Sequence, residues 1–137
     1  MKRSALRLGT VVTLAGLLAV WFFLLEPRWS HGRWYSRVQR DIRSMAQNRP
    51  AGVTRGQWEY AVDWTNNLHA NCGSFYSPVG AEWRDGFAAE LKRRVEGHVT
   101  LADIEWIWDE YAAHTSYGQT YSDRWRPTRD PYFKRLE

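Results

Sequence analysis

The chain has 137 residues and one cysteine, Cys72, which excludes an intrachain disulfide and a cysteine-rich zinc site. That length suits one small domain, whose core must draw on large side chains, here nine tryptophans, seven tyrosines and five phenylalanines. The formal charge of +4 is unevenly spread: the flanks of an N-terminal apolar run and the C-terminal tail are basic, whereas acids prevail from Gly56 to Glu110, a centre that would repel phosphates and argues against a nucleic-acid partner.

The apolar run extends uncharged from Leu8 to Leu25. As a helix it covers about 27 Å, close to the thickness of a hydrocarbon core. Residues 1–27 therefore read as an N-terminal tail and a transmembrane helix, the uncleaved signal-anchor of a single-pass membrane protein. The competing reading is a signal peptide whose cleavage would release a secreted product, since Lys2, Arg3 and Arg7 form a basic start and Ser30, His31 and Gly32 a small-x-small triplet. Against it, the run exceeds the usual ~7 to 15 residues of a signal peptide, and Glu26, Pro27, Arg28 and Trp29 crowd the cleavage region. Trp21 and Trp29 suit an interfacial belt. Basic residues lie on both sides of the run, so the positive-inside rule does not choose an orientation. A short tail bearing three charges is awkward to translocate, which favours an extracytoplasmic domain.

Residues 28–52 read as a basic juxtamembrane amphipathic helix. Trp34, Val38, Ile42 and Met45 repeat every three or four residues, and Arg28, Arg33, Arg37, Arg40 and Arg43 are candidates for contact with anionic lipid headgroups. The stripe is expected to meet the bilayer interface or the rest of the domain. Pro50 and Gly52 end this helix.

Residues 53–115 read as a helical core domain. Thr54 with Gln57 forms a capping box, opening a helix from Arg55 to Cys72 with Trp58, Ala61, Val62, Thr65, Leu68 and Cys72 on one stripe. Gly73 stands where a left-handed cap is wanted. Ser77 and Pro78 are expected to open a third helix carrying Trp83, Phe87 and Leu91, closed by Gly97. Thr100 with Asp103 opens the fourth, whose Leu101, Ile104, Ile107, Trp108 and Tyr111 form the clearest buried stripe. Its acids, Asp103, Glu105, Asp109 and Glu110, either face solvent or meet arginines of a neighbouring helix. Residues 116–137 read as an irregular aromatic and basic tail, with Tyr117, Tyr121 and Trp125 available to fold back. The fold class is all-α, one N-terminal transmembrane helix followed by a small domain of three to four short helices.

Few residues are arranged for chemistry. His69 and Cys72 stand one helical turn apart, so an imidazole could activate a thiol. Glu110 and His114 stand one turn apart as well, without the Glu-x-x-His spacing or its repeat that di-metal bundles use. No phosphate loop, nucleophile elbow, HExxH or calcium loop is present. Neither a catalytic set, nor a metal site, nor a cofactor is expected. Tyr60, Trp64 and Trp106 lie off the main stripes and could form an aromatic patch for a partner protein.

The segment WTNNLHANCGSF, followed by LADIEWIWDEYAAHTSYGQTYSDRWRP, resembles small uncharacterised bacterial single-pass membrane proteins, chiefly in the helix IEWIWDEYA. The resemblance implies a bacterial membrane setting and transfers no catalytic or binding residue. The expected role is a membrane-tethered, non-catalytic interaction or scaffold protein whose partners are the bilayer and an unidentified protein. The alternative is a membrane-bound enzyme or metal protein using His69 with Cys72 or Glu110 with His114.

Overall fold

The computed structural model describes residues 2–73 and 80–125, and the side chains of residues 10–73 and 80–120. Six α-helices follow one another, with no strand among the described residues: α1 Lys2–Val20, α2 Glu26–Ser44, α3 Arg55–Cys72, α4 Ala81–Val95, α5 Leu101–His114 and α6 Ser116–Trp125. A π-helical turn, Trp21–Leu25, joins α1 to α2, and a 3-10 turn, Met45–Gln47, ends α2. The chain divides within α2 into two compact units, Met1–Arg33 and Trp34–Glu137.

In the first unit the described apolar side chains are largely exposed. Val11, Val12, Leu14, Leu17, Leu18, Val20 and Phe22 are all exposed, and Phe23 reaches 80%. The helix Thr10–Gln47, to which they belong, is long and apolar enough to cross a membrane.

The second unit has a complete core. Trp34, Val38 and Ile42 of α2 and Met45 of the turn that ends it are all buried there, so of the two places expected for this stripe the structure uses the interior of the domain. The helix expected to form its own juxtamembrane segment from residue 28 is, from Trp34 onward, part of the core unit. It packs with Trp58, Val62 and Leu68 of α3, Phe87 and Leu91 of α4, and Ile104, Ile107, Trp108 and Tyr111 of α5. Trp83 is half-buried against the same cluster.

Four indole N–H groups join these helices in a closed circuit. Trp34 on α2 donates to the carbonyl of Arg84 on α4 (2.8 Å), and Trp83 on α4 donates to the carboxylate of Glu110 on α5 (2.9 Å). Trp108 on α5 donates to the Thr65 hydroxyl on α3 (3.0 Å), and Trp58 on α3 donates to the carbonyl of Met45 at the end of α2 (2.6 Å). A buried indole brings large apolar area and one donor that needs a partner. Here each donor finds it on another element.

Helix ends explain the remaining boundaries. Thr54 and Gln57 form the expected capping box, each side chain bonded to the other's backbone N–H. Gly52 has a φ of 82° at the third position of the turn Pro50–Val53, where a left-handed residue is needed. Gly73 departs from expectation, since its φ of −86° is right-handed. Its lack of a side chain serves packing, because a Cβ there would lie 2.8 Å from the His69 ring. The proposed start of α4 at Ser77 and Pro78 lies outside the described residues; Gly80 caps the helix at Ala81. Its last residue is Val95, and the Gly97 amide bonds back to the Arg94 carbonyl (3.1 Å).

At α5, Asp103 receives the Thr100 N–H and O–H (both 2.8 Å) and Arg94 Nη1 (2.9 Å). Burial alone would raise its pKa, but these hydrogen bonds and the guanidinium charge hold the carboxyl below the usual aspartate range. This acid therefore meets an arginine of the third helix of the core, not solvent.

The tail expected to be irregular is helical from Ser116 to Trp125. Thr115 opens it: its hydroxyl accepts the Gly118 N–H (2.9 Å) and its carbonyl accepts that of Gln119 (3.1 Å). That is an N-cap arrangement. α6 packs on α5 and α3 at a point where Gly118 leaves no room, since a Cβ would fall 2.2 Å from the Tyr111 carbonyl oxygen. Gly118→Ala should therefore force α6 away from α5, lowering stability by about 1 to 3 kcal/mol and raising hydrogen exchange through residues 116–125. Unchanged exchange there would show that α6 is held by other contacts. The side chains of Tyr121 and Trp125, and all of residues 126–137, lie outside the described residues.

Candidate functional site

The polar groups with the most chemical potential converge where α2, α3 and α5 meet. His69 is fully buried. Its ring stacks on Tyr35 (4.5 Å between centroids, 25°) and meets Trp34 edge-on (5.5 Å, 66°). The Tyr111 hydroxyl lies 2.5 Å from Nδ1 and the Tyr35 carbonyl 3.0 Å from Nε2. A carbonyl can only accept, so Nε2 carries the proton and Nδ1 accepts from Tyr111, a tautomer assigned from its partners.

This arrangement bears directly on the His69 and Cys72 pairing. Both ring nitrogens are occupied by Tyr111 and Tyr35, so the imidazole is not directed at the thiol. Cys72 is a buried free cysteine. Burial pushes its thiol up, against a smaller opposite push from the Thr115 side chain, whereas a nucleophilic cysteine needs a lowered pKa and access. Tyr111 is raised well above the usual phenol range, first by burial. Alkylation of the native protein should leave Cys72 unlabelled, with labelling appearing only on addition of denaturant. Rapid native labelling at neutral pH would reopen a role for the thiol.

Glu110 and His114 are brought together, but for local reasons. His114 Nδ1 lies 2.9 Å from the Glu110 carbonyl and 3.7 Å from its carboxylate, and that carboxylate also accepts the Trp83 indole. The His114 ring packs 5.0 Å from that of Trp83. No group of three ligating residues gathers among the described residues.

Two local contacts involve the three aromatic residues singled out for a partner surface. Tyr60 and Trp64 pair edge-on at 6.1 Å. Trp106 instead belongs to a stack formed with α4: its ring lies 5.1 Å from Phe87 at 14°, Phe87 lies 5.0 Å from Trp83, and the Arg94 guanidinium covers the outer face of Trp106 at 4.5 Å. All three are half-buried.

The arginines of the basic segment lie at the surface. Arg28, Arg33, Arg37, Arg40 and Arg43 are all exposed. Elsewhere, among the described residues, four cations have carboxylate partners: Arg55 with Glu59, Lys92 with Glu96, Arg93 with Glu90, and Arg94 with Glu90 and Asp103. The Glu90 carboxyl is lowered to about 2, chiefly by its hydrogen bond from Arg93. Among the described residues Arg33, Arg37, Arg40 and Arg43 make no such ion pair. Arg28 and Arg33 belong to the unit that carries the apolar helix, and Arg37, Arg40 and Arg43 to the core unit. An open cleft of about 480 Å³ between residues 47–51 and 97–100 is lined in part by Arg49 and His98.

Comparison of the chain with protein-family models, with curated proteins and with solved structures finds no match.

Proposed function

We propose that the chain is a single-pass membrane protein whose helical domain is extracytoplasmic and acts by binding, as a tethered interaction or scaffold module. The observation that carries this reading is the contrast between its two units. One carries apolar helical side chains that are largely exposed among the described residues, as those of a lipid-embedded helix are. The other commits His69, Tyr111 and four of its indoles to hydrogen bonds within its own helices.

Alkaline extraction of native membranes, followed by crosslinking and identification of the captured protein, tests the proposal. The chain should remain with the lipid pellet, retain its N-terminal residues by mass spectrometry, and yield one recurrent partner. Release into the supernatant, or a mature N-terminus near Arg33, would overturn the anchor. A reporter fused after Glu137 and active only in the cytoplasm would reverse the orientation. Metal at one equivalent in the purified protein would favour the enzyme or metal-protein alternative.

A further inference from the structure

The start of α2 carries a contact that its sequence spacing does not suggest. Trp21 and Trp29 are eight residues apart, and in a regular α-helix that places them about 80° past two full turns. Their rings nevertheless meet edge-on, 6.1 Å between centroids at 64°. The reason is the π-helical turn Trp21–Leu25. Its i to i+5 bonding winds fewer degrees per residue than an α-helix, so Trp21 swings toward the side of Trp29. Arg33, one turn further, lays its guanidinium over the Trp29 ring at 4.3 Å. Two indoles and a guanidinium therefore form a ladder along one side of this helix.

We propose that Trp29 and Arg33, backed by Trp21, form a headgroup site for an anionic phospholipid at the C-terminal end of the apolar helix. The proposal rests on the reading of that helix as membrane-spanning. With Leu25 at the edge of the hydrocarbon, Trp29 stands about 6 Å beyond it, within the ~5 to 7 Å headgroup layer on each side of a bilayer. Helical side chains lean toward the N-terminus, and the stacking brings the Arg33 charge back to the level of Trp29. Stacking uses the flat face of a guanidinium and leaves its in-plane N–H groups to grip a phosphate. Arg33 makes no ion pair among the described residues, so a lipid phosphate would have no internal carboxylate to displace. Trp29, 57% exposed, and Trp21, 44% exposed, present the amphipathic rings that interfaces select.

The full chain reconstituted into nanodiscs of phosphatidylcholine, with and without phosphatidylglycerol, supplies the test, with lipid retention read by native mass spectrometry. The wild type should retain phosphatidylglycerol over phosphatidylcholine. Arg33→Gln should reduce that preference about fivefold, the weight of one basic residue at an anionic surface. Trp29→Leu should weaken it with every charge kept, and Arg55→Gln, which removes an exposed charge paired with Glu59, should leave it intact. If the chain enters the discs and Arg33→Gln retains phosphatidylglycerol as the wild type does, the site is wrong while the anchor stands. If the triple variant Arg37→Gln, Arg40→Gln, Arg43→Gln abolishes retention and Arg33→Gln does not, the lipid is held by diffuse charge and the ladder has no part in it. Failure to enter discs of either composition would overturn the membrane reading itself.

Discussion

Replacing Trp108 by alanine should lower the unfolding free energy by about 3 to 5 kcal/mol, the range for a fully buried tryptophan. The side chain has no solvent exposure, and α5 would lose both its largest core group and its hydrogen bond to Thr65. The Thr65 hydroxyl keeps its own donation to the Ala61 carbonyl at 2.8 Å, so the cost is mainly the cavity. For a domain of roughly a hundred residues each kcal/mol moves the midpoint by about 4 to 8 °C, and the melting temperature should fall by on the order of 15 °C or more. Near-UV circular dichroism of the detergent-solubilised chain is the suitable readout, because far-UV signal would also count the apolar helix. Trp108→Phe keeps most of the volume and should lose only about 1 to 2 kcal/mol. A melting temperature unchanged in the alanine variant would remove Trp108 from the core.

The second large effect is expected at His69. His69→Ala should cost about 2 to 5 kcal/mol, because it opens a cavity among Trp34, Tyr35 and Tyr111 and leaves two buried polar groups, the Tyr111 hydroxyl and the Tyr35 carbonyl, without this partner. Tyr111→Phe removes the hydroxyl and leaves Nδ1 without it, at a cost of about 1 to 3 kcal/mol. The informative variant is the double one. His69→Phe with Tyr111→Phe replaces both ends of the bond with apolar groups, and should be less destabilising than the sum of His69→Phe alone and Tyr111→Phe alone by about 0.5 to 3 kcal/mol. Strict additivity in denaturant titrations would mean that this short bond contributes nothing to stability.

Most of this fold was legible in the sequence because its helices announce themselves twice, by apolar period and by cap. Thr54 with Gln57 and Thr100 with Asp103 mark helix starts, and the stripes behind them hold the residues found in the core. The sixth helix was not legible. Ser116, Gly118 and Thr120 are weak helix formers, and Gly118 reads as a breaker. Its actual service is to let two backbones touch, a tertiary reason that local propensity does not contain. Thr115 was the available signal, a capping residue hidden at the end of another helix. Gly73 misled in a related way, for a glycine at a helix end suggests a left-handed cap, whereas this one makes space for His69. At the candidate site, spacing placed His69 and Cys72 on one face and Glu110 beside His114. It could not show that Tyr111 and Tyr35, from α5 and α2, would occupy both nitrogens of the imidazole.

The closed circuit of indoles carries a consequence for how this domain comes apart. Each of α2 with its terminal turn, α3, α4 and α5 gives one indole proton to a neighbour and takes one from another, so none can swing away alone without breaking two of these hydrogen bonds. Partial opening is thereby penalised at every helix, and the domain should unfold in an all-or-none manner. The four ring N–H protons should then exchange with solvent deuterium at a common rate set by global opening, although they lie on four different helices.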